Sequence, residues 1–214
     1  PIFQDPLKDI GDPLFWAPLI ARFMGMRMEE ILQLGPEDFG SDKGIPYLRV
    51  RNTIINGLKT LSSERTLPIH PQLIELGLLK LVELRKKEDH IRLFPFLDRG
   101  KQKGTFSANF SKAFGYYRRT NDCYWLGMDF HSLRTTFHHD LLGDDKSDAI
   151  RCRLMGHTYR DEGDRSYGQS LGIEKLANRM KSVAVDISMI RSPFDTPGVT
   201  TRSKAAEHGL RVVG

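Results

Sequence analysis

The sequence predicts an α+β fold, mostly α-helical, with a small antiparallel β-sheet near the N-terminal third. Two observations carry this. Apolar residues recur at three- and four-residue spacing along most of the chain, whereas β-branched and aromatic runs are short and confined to residues 47–69. Gly and Pro fall between these segments and punctuate them.

The first helical stretch is 12–34. Asp12 caps it, Pro13 suits its first turn and Gly35-Pro36 ends it, while Pro18 predicts a kink or restart inside it. Short β-like runs follow at 47–51, 53–55 and 65–69, separated by turn residues such as Asn56-Gly57. Pro71 opens a helix with Leu73, Leu76, Leu79 and Val82 on one side, ending in Arg85-Lys86-Lys87. An apolar loop at 93–97 and a polar turn at Asp98-Arg99-Gly100 lead to a helix over 107–120 carrying Phe110, Phe114 and Tyr117 on one face. Further helices fit 131–142, 147–155 and 173–183. Residues 1–191 read as one domain with its core over about 12–183, and the polar stretch 192–214, with Pro193, Pro197 and Gly198, reads as a C-terminal tail.

The 214 residues suffice for a core without staples, and the two cysteines, Cys123 and Cys152, have no metal-ligand spacing. A disulfide framework is not expected, and a reducing cytoplasm is. The net charge of +5 permits a polyanionic partner without demanding one. No apolar run reaches membrane-spanning length and no signal peptide opens the chain, which begins at Pro1 and reads as a fragment of something longer.

Three segments bear chemistry. In Phe130-His131-Ser132-Leu133-Arg134, the His and Arg lie one turn apart at a helix start, where free N–H groups favour an anion. In Met155-Gly156-His157, Gly156 can end a helix in a left-handed conformation and present His157 from the loop. In Arg165-Ser166-Tyr167-Gly168, the tyrosine stands ten residues beyond His157, at a helix boundary. Each alone fits an ordinary surface or packing role. His138-His139-Asp140 is no metal site, because adjacent helix residues point in different directions. Arg118-Arg119 suits either a DNA backbone contact or a solvated helix end.

The order and spacing of these segments resemble the C-terminal catalytic domain of the tyrosine recombinase (phage integrase) family. That family has a His-x-x-Arg box, a Gly-His about two dozen residues later and a nucleophilic tyrosine beyond it. Two earlier stretches match as well. Gly25-Met26-Arg27-Met28-Glu29-Glu30 fits a Gly-x-Arg-x-x-Glu context. Lys59 precedes Arg65-Thr66-Leu67-Pro68, as a turn lysine precedes an Arg-Thr-x-Pro strand. The resemblance covers residues 12–183. It departs from the family in lacking the amino-terminal DNA-clamping domain, in the charged stretch 160–163 and in Thr135 after the box.

The resemblance implies DNA strand cleavage and rejoining through a 3′-phosphotyrosine, with Tyr167 as nucleophile. Arg27 and Arg134 would fork onto the phosphate oxygens and His157 would donate a further bond. His131 would accept or position a proton, Lys59 would protonate the leaving 5′ oxygen, and Glu30 would orient Arg27 or His131. No cofactor or metal is implied, since the arginines take the cation's place. The implied partners are double-stranded DNA attachment sites and further copies of the chain, in a tetramer on DNA in a bacterial cytoplasm. The helix after Tyr167 would dock on a neighbouring protomer or, equally, on its own domain. A type IB-like DNA topoisomerase, or a catalytically silent DNA-binding remnant of a prophage integrase, would show a similar residue set.

Overall fold

A computed structural model describes residues 9–51, 64–102, 104–142, 148–159 and 161–201, and its fold is α+β. The elements run α1 (Pro13–Met24), α2 (Met28–Leu32), β1 (Phe39–Asp42), β2 (Ile45–Val50), β3 (Arg65–Pro68), α3 (Pro71–Glu75), α4 (Leu78–Lys87), α5 (Ser107–Thr120), α6 (Phe130–Leu142), α7 (Asp148–Met155), α8 (Glu162–Ser170) and α9 (Ile173–Lys181). Among the described residues no helix is long and apolar enough to cross a membrane.

Helix α1 is the central pillar. Phe15, Trp16, Ile20, Phe23 and Met24 are all buried, and the helix packs along α6, whose Phe137 and Leu141 are buried with them. The Asp12 carboxylate accepts the Leu14 N–H at 2.8 Å, as the cap reading requires. No restart occurs at Pro18, since α1 runs through it. The helix breaks at Gly25 instead, and the 12–34 stretch becomes two helices.

The sheet is antiparallel in the order β1-β2-β3, with Leu48 opposite Phe39 on one side and Leu67 on the other. Strand β1 lies outside the sequence expectation because Phe39-Gly40-Ser41-Asp42 has almost no β-branched or aromatic content. Lys43 and Gly44, both with positive φ, form the two-residue hairpin turn that pairs it with β2. The expected run at 53–55 lies outside the described residues.

The helix expected from Pro71 is interrupted at Gly77, whose φ of 97° belongs to the left-handed region. The restart shifts the buried face of α4 to Leu78, Leu81, Val82 and Arg85, so Leu79 is only partly buried. An interval of three repeated without fours drifts around a helix, and the break absorbs that drift. Arg85 lies in the basic last turn of α4 yet is fully buried, with Nε donating to the Leu93 carbonyl.

Helix α9 packs on β2 and β3 of its own domain through Leu176, Ala177 and Met180. His70 Nε2 lies 2.8 Å from the Val183 carbonyl, and the Gln72 amide bonds Val185 in both directions, so the chain after α9 is pinned to α3. Of the two docking modes expected for this helix, its own domain takes the apolar face. The described part of the expected tail also folds back. Ser192 and Pro193 are buried, Phe194 packs against Gly77, and Thr200 bridges to Asp9.

Candidate active site

The site begins at the break after α1. Gly25 adopts φ 63°, and its N–H closes the helix on Ala21 at 2.9 Å. A Cβ there would lie 2.3 Å from the Phe137 ring, so only glycine lets α1 seat on α6. The Gly25 carbonyl, freed by the turn, accepts a bond from Arg134 Nη1.

Arg27 is the N-cap of α2, and Glu30 stands three residues into that helix. The Glu30 carboxylate reaches back to accept the Arg27 backbone N–H at 2.9 Å and its guanidinium Nη1 at 2.7 Å. This one-sided cap, with Glu30 accepting both bonds, is the physical content of the Gly-x-Arg-x-x-Glu spacing. The glycine ends one helix, and the glutamate starts the next while gripping the arginine.

A second arginine grips the same carboxylate. Arg65, from β3, is buried and donates to Glu30 from Nη2 at 2.8 Å and from Nη1 at 3.2 Å, while its Nε bonds the Leu154 carbonyl. Burial alone would raise the Glu30 pKa. The nearby Arg65 charge, with the bonds from Arg65 and Arg27, reverses this and holds it at about 2. Gly156 closes over the pair with φ 63°, and a Cβ there would lie 2.8 Å from Arg65 Nη1.

Arg134 completes the cluster from the first turns of α6. It is buried, and Nη2 donates to the Met155 carbonyl at 2.7 Å and meets His157 Nε2 at 3.0 Å. A guanidinium only donates, so Nε2 accepts and the His157 proton resides on Nδ1. Burial, and then the Arg134, Arg151 and Arg27 charges, lower the His157 pKa to about 4, leaving the ring neutral near pH 7. Burial, followed by Arg27 and Arg65, lowers Arg134 to about 10. Three guanidinium groups thus crowd one carboxylate and a neutral imidazole. Such excess charge suits an anion.

Arg27, His131 and Arg134 line a cleft of about 620 Å³, with exposed His131 at its rim. Arg65, Gly156 and His157 line a second cleft of about 660 Å³, so the cluster forms the wall between two openings.

Tyr167 is not gathered with them. It lies on α8, where Glu162, Arg165 and Gln169 face the second cleft. Tyr167 is two residues past Arg165, about 200° around a helix. The residue is exposed, and its hydroxyl accepts a bond from Lys175 of α9. Tyr159, by contrast, lines the second cleft beside His157, but its ring lies against Gly168 and burial raises its pKa. Lys59 falls outside the described residues.

Other candidates resolve differently. Arg118 is largely buried, donating to the Cys123 and Met128 carbonyls, so only Arg119 of that pair is an exposed helix-end charge. His138 bonds Arg151 and Asp140 pairs with Arg22, so the His-His-Asp run shares no common target. Sequence reasoning missed Arg65 as a member of the cluster, although it quoted the strand that carries it. Lys175 left no signal of its own, being one more basic residue on an amphipathic helix. No protein-family model matches the chain, and no curated protein or solved structure is detectably similar to it.

Proposed function

We propose that this chain is the catalytic domain of a tyrosine recombinase that cleaves and rejoins DNA through a 3′-phosphotyrosine, integrating one DNA into another. The observation that carries the reading is the convergence of Arg27, Arg65 and Arg134, from three remote segments, around Glu30 and His157. A phosphodiester gains charge on its non-bridging oxygens during attack. Donors fixed beforehand for that charge supply the largest part of catalysis. Arg27 and Arg134 face the cleft and take the phosphate, while Arg65 is a positioning residue that holds Glu30. His157 donates from Nδ1, or from Nε2 after its proton shifts to that nitrogen when an oxyanion displaces the ring from Arg134.

Tyr167 attacks phosphorus through its hydroxyl oxygen, the phenolic proton passes to His131 or water, and the 5′ oxygen leaves with a proton from Lys59. The phosphodiester bond broken and the phosphotyrosine bond formed are alike in energy, so the step reverses when a 5′ hydroxyl returns. In this reading α8 must re-seat on DNA to bring Tyr167 to the cluster. Breaking the Lys175 bond and releasing Gly168 from the Tyr159 ring are the contacts that change. One observation favours a second reading, in which Tyr159 is the nucleophile: it already shares a cleft with His157.

A nicked DNA substrate whose cut product diffuses away tests the proposal. Protein–DNA adducts that survive denaturation are expected. Binding without any adduct would leave a catalytically silent DNA-binding remnant, and relaxation of supercoiled DNA by single copies would favour a type IB-like topoisomerase.

A further inference from the structure

Among the described residues, four of the eight exposed large hydrophobic side chains sit in one loop beside the arginine cleft. The loop 121–129, between α5 and α6, presents Trp125 at 68% and Leu126 at 92% exposure, with Tyr124 and Met128 also exposed. Solvent-facing aromatic and aliphatic residues this concentrated mark an interaction site.

The loop backbone is held at both ends. Arg118 donates to the Cys123 carbonyl at 3.3 Å and to the Met128 carbonyl at 2.7 Å, and the Cys123 N–H returns to the Arg118 carbonyl at 3.0 Å. The turn between closes with the Met128 N–H on the Trp125 carbonyl, and Gly127 supplies its positive φ of 81°. A buried arginine is therefore spent on fixing a loop whose apolar side chains face water.

The surroundings select the partner. Tyr124 and Met128 line the same cleft as Arg27 and Arg134. The Arg118 and Arg119 guanidiniums lie 5.2 and 5.6 Å from the Tyr124 ring centre. Flat apolar faces rimmed by guanidinium charge, continuous with an anion-binding wall, match a nucleotide, which carries a flat base beside a phosphate. A purely apolar protein partner would offer the exposed Arg119 charge no counterpart.

We propose that Trp125, with Leu126 and Tyr124, is a base-stacking platform that engages an unpaired or unstacked base next to the phosphate held by the arginines. It would give the protein a preference for DNA that is locally open or easily distorted. This rests on the strand-transfer reading for the identity of the polymer, though not on catalysis.

The chain carries its own reporter. Of its two tryptophans, Trp16 is fully buried and Trp125 is exposed, so a ligand stacking on the loop quenches Trp125 alone. The experiment titrates the protein with two duplexes of one sequence, fully paired or with a short unpaired stretch, while tryptophan emission and the anisotropy of labelled DNA are followed. Quenching by the open duplex is expected, together with about tenfold weaker binding of it by Trp125→Ser, and fully paired DNA should be held equally by both proteins. Trp125→Phe, which keeps a ring, should retain most of the preference. Equal binding of the two duplexes, or no effect of Trp125→Ser, would overturn the proposal. So would loss of self-association in Trp125→Ser, which would make the patch a contact between copies. Adducts without quenching would sink the platform and leave strand transfer standing, and quenching without adducts would do the reverse.

Discussion

The arginine cluster and helix α8 are built in opposite ways. Glu30 accepts bonds from Arg27 and Arg65 and is almost fully buried, and Arg134 is anchored on two peptide carbonyls. Two left-handed glycines, Gly25 and Gly156, let the backbone close around this group. Helix α8 has one buried residue, Gly168, and its tyrosine is held by a single exposed lysine. Groups that stabilise charge gain most from being fixed before the substrate arrives, whereas a nucleophile that must meet DNA gains from an exposed helix. Under the strand-transfer proposal, the contrast divides a preorganised half of the site from a recruited half.

The strongest way to break this contrast is to remove the hub. Glu30→Ala leaves Arg65 buried without its carboxylate and should cost on the order of 3–5 kcal/mol of stability, read as a shift in the urea midpoint. A loss below about 1 kcal/mol would mean that the cluster is not a structural centre. Arg134→Lys keeps the charge and loses the fork, so single-turnover cleavage should slow by about 2–4 kcal/mol of barrier. Cleavage at the wild-type rate would place Arg134 away from the phosphate.

Acid should unravel the fixed half in two steps. His157 lies at about 4 against its ordinary 6.5, so the folded state refuses a proton that the unfolded chain accepts. Its contribution is complete above pH 6.5 and declines as pH falls toward 4. Glu30, at about 2 against an ordinary 4.5, contributes fully above pH 4.5 and loses that contribution as pH falls toward 2. The Glu30 part amounts to about 3 kcal/mol. Urea midpoints across this range should show both declines, with the lower one missing in Glu30→Gln. A flat profile below pH 4.5 would contradict the assigned Glu30 environment.

The smallest effect belongs to α8. Lys175→Ala should change stability by less than about 0.5 kcal/mol, because the contact is exposed. If the bond holds Tyr167 away from the cluster, the variant should form adducts faster. Slower adduct formation would instead make Lys175 a helper of the nucleophile.

Much of this was legible in the residues. Gly25, Arg27 and Glu30 were legible as a Gly-x-Arg-x-x-Glu match, though not as a helix end and restart, since the stretch 12–34 reads as one helix. Gly156 before His157 was readable as a left-handed helix end. Arg65 was not, because its pairing with Glu30 is a contact between a strand and a helix 35 residues apart, and local pattern is blind to that. Helix α8 was read only as a boundary. Gly163 and Gly168 lower its propensity and Tyr167 is its one large apolar residue, so only the Asp161 cap, accepting from the Asp164 N–H at 2.8 Å, marked its start. The breaks at Gly25 and Gly77 were both glycines in view, yet Pro18 drew the expected kink because proline opposes helices more strongly than glycine does.

The central claim is that the recruited half carries the nucleophile, and peptide mapping of the trapped adduct tests it most directly. The wild-type protein is reacted with the nicked DNA, digested with trypsin and nuclease, and the nucleotide-bearing peptide is sequenced by mass spectrometry. The account predicts the residual nucleotide on Tyr167, and no adduct at all from a Tyr167→Phe protein that melts with the wild type. A nucleotide on Tyr159, or adducts persisting in Tyr167→Phe, would contradict it and place the nucleophile in the cleft that His157 already lines.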